Sequence, residues 1–321
     1  MISENLKKVL KKQKYGLVGG HSAVQICRWT KKSLLDEGFC YKEKFYGISS
    51  HRCCQMSPSV VWCQNKCLHC WRAIEFTLGD KMEGRIDKPE KIIEECIKAQ
   101  RKMLSGFKGN KKINIKKFKE AQNPSQFAIS LSGEPTIYPY LAELIKELRK
   151  RGKSSFLVTN GLLPEKLLEL KRKKALPTQL YLSLNAPNEK MYKDWHKSKL
   201  KDAWKRFNKT LSILPKLSTR RVIRMTLVRE LNMKPEFIPE YAKLIKKSGA
   251  DFVEVKGFMS VGFARKRLGY ERMPSHEEIK DFAKRLLKNL KGYKFLDEKI
   301  ESRVVLLGRN KKRMKIKKSE I

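Results

Sequence analysis

The chain has 321 residues, 40% of them hydrophobic, and carries 73 Lys and Arg against 33 Asp and Glu, a formal net charge of +40. No stretch approaches the ~18 consecutive apolar residues of a membrane span, and the lysine-rich segment 1–14 lacks the apolar core of a signal peptide, so the reading is a cytoplasmic protein without a membrane anchor. The apolar share suffices for a sizeable core, and so large a cation excess points to a polyanionic partner, nucleic acid first.

Three zones follow in chain order. Residues 1–56 form an N-terminal arm with turn signals at Gly19-Gly20 and Gly47 and with cysteines at 27, 40 and 53. Residues 57–260 alternate short apolar runs with longer amphipathic stretches. The predicted strands are Ser59–Trp62, Phe127–Leu131, Ser155–Val158, Leu180–Leu184, Arg221–Leu227 and Phe252–Lys256. The predicted helices between them are Lys91–Met103, Tyr140–Arg151, Pro164–Lys174, a short turn at Met191–Lys193, Ala203–Leu214 and Pro235–Ser248. Strands alternating with helical patterns predict an α/β fold with a parallel sheet, and six such units suit a partial (β/α)6 TIM-like barrel. Chemistry in such folds sits at the C-terminal ends of the strands. Residues 261–321 form a C-terminal extension with a basic tail. Two basic runs, Lys108–Lys119 and Lys311–Lys318, are candidates for tracking phosphates; either also reads as a solvated face.

Seven of the eight cysteines lie between Cys27 and Cys70. In a reducing compartment they point to metal binding or catalysis rather than disulfides. Cys63, Cys67 and Cys70 read Cys-x-x-x-Cys-x-x-Cys and are followed by Trp71. Zinc ribbons pair Cys-x-x-Cys units across a longer gap, and no second pair follows here. Three thiolates suit a [4Fe–4S] cluster with one iron left open. His69 sits between two ligands and is expected to turn outward. Cys27, Cys40 and Cys53 recur at intervals of thirteen in an arm too small for its own core, and could hold a second cluster; Cys54 is the alternative third ligand. Cys96 reads as core. The strand ends are polar: Ser132-Gly133-Glu134, Thr159-Asn160, Ser183 and Asn185, then Arg224 with Thr226, and Glu254 with Lys256.

The cysteine loop, with the Gly-Glu element one strand later, resembles the radical S-adenosylmethionine superfamily over about residues 60–259. That resemblance implies a cluster at Cys63, Cys67 and Cys70 that binds S-adenosylmethionine through its open iron. It implies that Ser132, Gly133 and Glu134 hold the methionine amino group, and that Thr159, Asn160, Ser183, Asn185 and Arg224 reach the ribose and carboxylate. It sets Trp71 near the adenine. The segment CYKEKFYGISSHRC between Cys40 and Cys53, with Cys27 upstream and the CQNKCLHCW loop downstream, resembles the tRNA 4-demethylwyosine synthases in their archaeal single-domain form.

What this second resemblance implies is specific. The substrate is the phenylalanine tRNA carrying 1-methylguanosine at position 37, just 3′ of the anticodon. The adenosyl radical takes hydrogen from the N-methyl group, and pyruvate supplies two carbons in a reaction of the carbon–carbon lyase class. Two [4Fe–4S] clusters are expected, the second at Cys27, Cys40 and Cys53 where pyruvate binds. An external donor of flavodoxin or ferredoxin type supplies the electron, and the protein is expected as a monomer. A lysine Schiff base would activate pyruvate, with Lys42 favoured and Lys44 its rival. His51 and Arg52 could hold the carboxylate or the RNA backbone, and Phe45, Tyr46 and Trp195 could stack the target base or pack in the core. The competing readings are another radical enzyme acting on tRNA and a zinc-stabilised RNA-binding protein.

Overall fold

The computed structural model describes residues 2–321. Among these residues ten strands form one sheet: β1 Gly16–Val18, β2 Ser22–Gln25, β3 Cys53–Ser57, β4 Gln126–Ile129, β5 Ser154–Thr159, β6 Gln179–Ser183, β7 Arg220–Leu227, β8 Phe252–Gly257, β9 Lys294–Lys299 and β10 Val304–Gly308. Their spatial order is β1-β2-β3-β4-β5-β6-β7-β8-β10-β9. Strands β3 to β8 are parallel throughout. The arm adds β1 and β2 antiparallel at one edge, and the C-terminal extension adds β10 and β9 at the other. The three zones of the sequence therefore share one sheet.

Among the described residues twelve α-helices accompany it: α1 Glu4–Lys12, α2 Arg28–Leu34, α3 Tyr41–Tyr46, α4 Pro89–Ser105, α5 Ile115–Ala121, α6 Leu141–Lys150, α7 Pro164–Arg172, α8 Glu189–His196, α9 Ala203–Ile213, α10 Ile238–Ser248, α11 Ala264–Leu268 and α12 His276–Lys288. Among the described residues no helix is long and apolar enough to cross a membrane. Residues Lys108–Lys119 are not a free basic run. They lead into α5, whose Phe118 and Ala121 pack in the small core that holds Leu34 of α2.

Successive strand residues face opposite sides of a sheet, and the sequence obeys that period. Leu157, Leu180, Leu182, Ile223, Val253 and Val255 face the outer helices in the main core. Their neighbours Phe156, Tyr181, Val222 and Phe252 face inward and meet Tyr41, Phe45 and Tyr46 of α3. Helix α3 thus plugs the inner face of the sheet near the N-terminal ends of the strands. Phe45 and Tyr46 are completely buried, each such ring contributing about 1.5–3 kcal/mol by leaving water. They are core residues and do not stack a base. The basic tail latches the plug from below. Met314 is buried in the same cluster, Ile316 N donates to Tyr46 O at 3.0 Å, and the Arg220 guanidinium donates to the carbonyls of Arg313 and Met314 at 2.7 and 2.6 Å. This run lies at the end of the sheet opposite the cysteine loop.

One strand is misplaced by sequence reasoning. The first parallel strand is Cys53–Ser57, not Ser59–Trp62, which forms only an isolated bridge from Trp62 to Gly79. Pro58 lacks the N–H a continuing strand needs, and the chain beyond it turns to pack against the Gly133 loop.

Candidate active site

Gly133 shows how tightly the cysteine loop is held. Its φ is +71°, and a Cβ there would run into Ser59 O and lie 2.9 Å from Trp62 O. Glu134 N donates to Trp62 O at 2.7 Å, Ser59 Oγ donates to Glu134 O at 2.8 Å, and Ser132 Oγ donates to Val60 O at 2.7 Å. The Ser-Gly-Glu turn therefore clamps the segment that delivers Cys63. Glu134 is buried and accepts from Thr136 N, Thr136 Oγ1, Thr159 Oγ1 and Asn160 N at 2.6–3.1 Å. Burial pushes its carboxyl pKa up, against these bonds. Three of the four bonds fall on Oε1, so only Oε2 retains capacity for a ligand cation. Thr159 faces the carboxylate and is likewise committed.

Cys63, Cys67 and Cys70 line a cavity of about 290 Å3 at the C-terminal strand ends, together with Ser132, Gly133, Glu134, Thr159, Asn160, Ser183, Asn185, Arg224 and Trp71. Every residue expected at the S-adenosylmethionine site thus lines one space. Asn160 Nδ2 lies 3.0 Å from Gln64 Oε1, Asn185 Oδ1 accepts from Thr226 N at 2.9 Å, and Trp71 Nε1 donates to Leu131 O at 3.0 Å. His69 turns inward, contrary to expectation. It stacks on Trp195, whose Nε1 donates to His69 Nδ1 at 2.8 Å, and Trp195 is 3% exposed, so it supports the loop rather than a base. Burial, then Arg224, lowers the His69 pKa to about 4.

Arg72 escaped notice in the sequence, although it follows the motif directly. Its buried guanidinium donates from Nε to Cys70 Sγ at 3.3 Å and from Nη2 to Asn65 O at 2.6 Å. Arg267 donates to Leu68 O at 3.1 Å and also to Cys70 O. His196 was missed too; its Nδ1 lies 3.1 Å from Cys67 Sγ. No local pattern links Arg267 or His196 to the loop. Burial raises the pKa of the Cys63 and Cys67 thiols, so loading with iron must displace their protons.

The second set converges on a neighbouring cavity of about 620 Å3, lined by Cys27, Cys40, Cys53 and Lys42. Cys27 Sγ caps α2 by accepting from Thr30 N at 3.4 Å, and Cys40 Sγ caps α3 by accepting from Lys42 N at 3.5 Å. Burial pushes the Cys40 thiol up to about 12. Cys54 faces the other side of β3 and is fully buried in the outer core with Cys96, which removes it from the ligand set. Lys42 is only 8% exposed, its Nζ 4.7 Å from the Tyr181 ring centre and 5.2 Å from that of Phe156. Burial, then Arg224, lowers its pKa. Lys44 points elsewhere: its Nζ bonds Asp297 at 2.8 Å and Glu298 O at 2.7 Å. His51 pairs with Glu120 at 2.6 Å and Arg52 with Asn123 O at 3.2 Å, and neither lines the cavity. Glu254 accepts from Tyr41 and Tyr46 hydroxyls at 2.9 and 2.8 Å and is wholly enclosed.

The two cavities share a wall. Arg224, Lys256, Trp71, Ser130, Met259 and Val261 line both. Arg224 Nε is buried and has no partner among the described residues, an orphan donor that a carboxylate would satisfy. Lys256 Nζ donates to Ser302 O at 2.6 Å, and burial, then Arg224, lowers its pKa to about 8. Among the described residues no three Cys, His, Asp or Glu side chains close on a single ion. Two triads of thiols facing cavities suit the larger cubane, for which thiolate is the customary ligand.

The Radical SAM superfamily model matches residues 57–238, and the model for wyosine base formation matches 247–309. The S-adenosyl-L-methionine-dependent tRNA 4-demethylwyosine synthase of Pyrococcus abyssi is 49% identical over 96% of this chain and 89% of its own length. The chain belongs to the tRNA 4-demethylwyosine synthase family. The family member of Methanocaldococcus jannaschii is 41% identical over 96% of both chains, and that of mouse is 39% identical over 97% of this chain but 42% of its own. Two solved family structures superpose over nearly the whole chain. One, described as TYW1 with a lysine-pyruvate adduct bound, has a TM-score of 0.86 at 40% identity, covering 99% of each chain. The other, archaeal TYW1, has 0.80 at 37%, covering 98% of this chain and 100% of its own. The family is a radical S-adenosylmethionine one, so an iron–sulfur cluster and S-adenosylmethionine belong to its chemistry, and Cys63, Cys67 and Cys70 offer the thiol set for that cluster.

Proposed function

We propose that this chain builds 4-demethylwyosine from pyruvate and the 1-methylguanosine at position 37, 3′ of the anticodon of the phenylalanine tRNA. The observation that carries the reading is the pair of adjoining cavities, one lined by Cys63, Cys67 and Cys70 and the other by Cys27, Cys40 and Cys53 with Lys42. Cys63, Cys67 and Cys70 would hold one [4Fe–4S] cluster and Cys27, Cys40 and Cys53 a second, and the first, with S-adenosylmethionine, would supply a 5′-deoxyadenosyl radical able to take hydrogen from the N-methyl group.

The chain's own residues do the rest of the work. Lys42 Nζ adds to the pyruvate carbonyl and releases water, giving a Schiff base that can accept the new carbon–carbon bond. Desolvation favours the neutral amine that this addition needs. Arg224 and Lys256 stand between the cavities, where a carboxylate from either side finds a cation. Trp71 and Met259 add apolar surface to the shared wall. The +40 charge suits a tRNA, and a flavodoxin- or ferredoxin-type protein supplies the electron. A lysine–pyruvate adduct in a solved relative of 40% identity supports a lysine Schiff base, and Lys42 is the candidate because it lines the cavity of Cys27, Cys40 and Cys53.

Anaerobic incubation with S-adenosylmethionine, a reductant, pyruvate and methylguanosine-containing tRNA tests the reading. The modified nucleoside should gain mass only when pyruvate is present. An unchanged product on omission of pyruvate would reject it in favour of another tRNA modification.

A further inference from the structure

Each sulfur of the cysteine loop has a side-chain nitrogen beside it. Asn160 Nδ2 lies 3.9 Å from Cys63 Sγ, His196 Nδ1 lies 3.1 Å from Cys67 Sγ, and Arg72 Nε lies 3.3 Å from Cys70 Sγ. Asn160 and Arg72 have further partners within the site. His196 comes from the last turn of α8, far away in sequence, and is 3% exposed. The same turn holds the loop by its main chain: Lys66 N donates to His196 O at 2.9 Å and Leu68 N to Trp195 O at 3.1 Å. Lys199 N, just beyond, donates to Gln64 O at 2.9 Å. Residues on both sides of Cys67 are thus pinned to α8, which fixes the imidazole against that sulfur.

We infer that His196 is a positioning residue that sets the reduction potential of the loop's cluster through an Nδ1–H···Sγ bond to Cys67. A sulfur that ligates iron carries no proton, so the imidazole must be the donor. Its Nε2 is buried and has no partner among the described residues, which matches the tautomer with the proton on Nδ1. Reduction adds negative charge to the cluster and its sulfurs. A fixed N–H dipole aimed at one sulfur favours the reduced form and raises the potential. The imidazole is 3% exposed, so its nitrogen is shielded from solvent on the α8 side.

The inference rests on the cluster being bound at Cys63, Cys67 and Cys70. Iron and sulfide content of the wild type checks that premise separately. The test is an anaerobic redox titration followed by electron paramagnetic resonance, reading the cluster whose signal changes on adding S-adenosylmethionine. His196→Leu should lower the reduced-to-oxidised ratio at fixed poise about tenfold, roughly 59 mV for one electron. His196→Asn, whose amide nitrogen overlays Nδ1, should recover most of that shift, which a merely structural role would not do. An unchanged potential in a fully loaded His196→Leu protein overturns the inference. If that variant does not load, wild type carrying 15N-labelled histidine decides. A nitrogen coupling to the reduced cluster supports the bond, and its absence refutes it.

Discussion

Replacing Gly133 with alanine should damage the site more than the fold. The glycine sits at φ +71°, where an L-residue costs roughly 1–2 kcal/mol. The new methyl would lie 2.9 Å from Trp62 O and closer still to Ser59 O, against an ordinary carbon–oxygen separation of about 3.3 Å. Both obstacles are main-chain atoms of the segment leading to Cys63, so neither can swing aside as a side chain would. Overpacking of this kind costs about 1–3 kcal/mol, which gives a total of about 2–5 kcal/mol for Gly133→Ala. A domain stable by about 10 kcal/mol, the middle of the usual range, survives that loss, but the cysteine segment must shift. Urea unfolding should show the lower midpoint, and anaerobic reconstitution should show poor iron loading and weak S-adenosylmethionine binding. A variant within about 0.5 kcal/mol of wild type that loads iron normally would refute the close approach.

Lys42→Ala should abolish borohydride trapping of labelled pyruvate, whereas Lys44→Ala should trap normally and lose no more than about 1 kcal/mol, because its pair with Asp297 is exposed. Retained labelling in Lys42→Ala would refute the Schiff-base assignment. Cys27→Ala should lower iron from about eight to about four per chain, while Cys54→Ala should leave iron unchanged; equal losses would contradict the facing of β3. The α12 capping box gives a pH signature. Hydrogen bonding to Arg229 holds the Glu278 carboxyl at about 2, below its usual 4.5. A depressed folded-state pKa stabilises above the unfolded value and fades as pH falls toward the folded one. The stability gap between wild type and Glu278→Gln should therefore be full above pH 4.5 and shrink down to about pH 2; a pH-independent gap would show that Glu278 acts by shape alone.

What was legible in the sequence was local. Both cysteine triads, the polar strand ends and the helices flanking them declare themselves through spacing, and Cys63, Cys67 and Cys70 converge on one cavity as their motif implied. What was hidden depends on partners distant in sequence. Tyr46 reads equally as a stacking residue or as core until Glu254 and Phe252 close around it. Glu134 reads as a ligand group, but that Thr136, Thr159 and Asn160 already take up most of its carboxylate is visible only in the fold. Cys53 and Cys54 are interchangeable on paper, and only the strand's pairing with β4 decides which faces the cavity. Lys42 and Lys44 part because both ride on α3, where residues two apart do not share a face.

The latch on the floor of the sheet has a consequence for how the protein matures. Helix α3, capped by Cys40 and carrying Lys42, emerges early in synthesis. Its seat is finished by Met314, Ile316 and the main chain at Arg313. A nascent chain therefore cannot hold its second cavity in final form until those residues leave the ribosome, and metal delivered there before then meets an unfinished cradle.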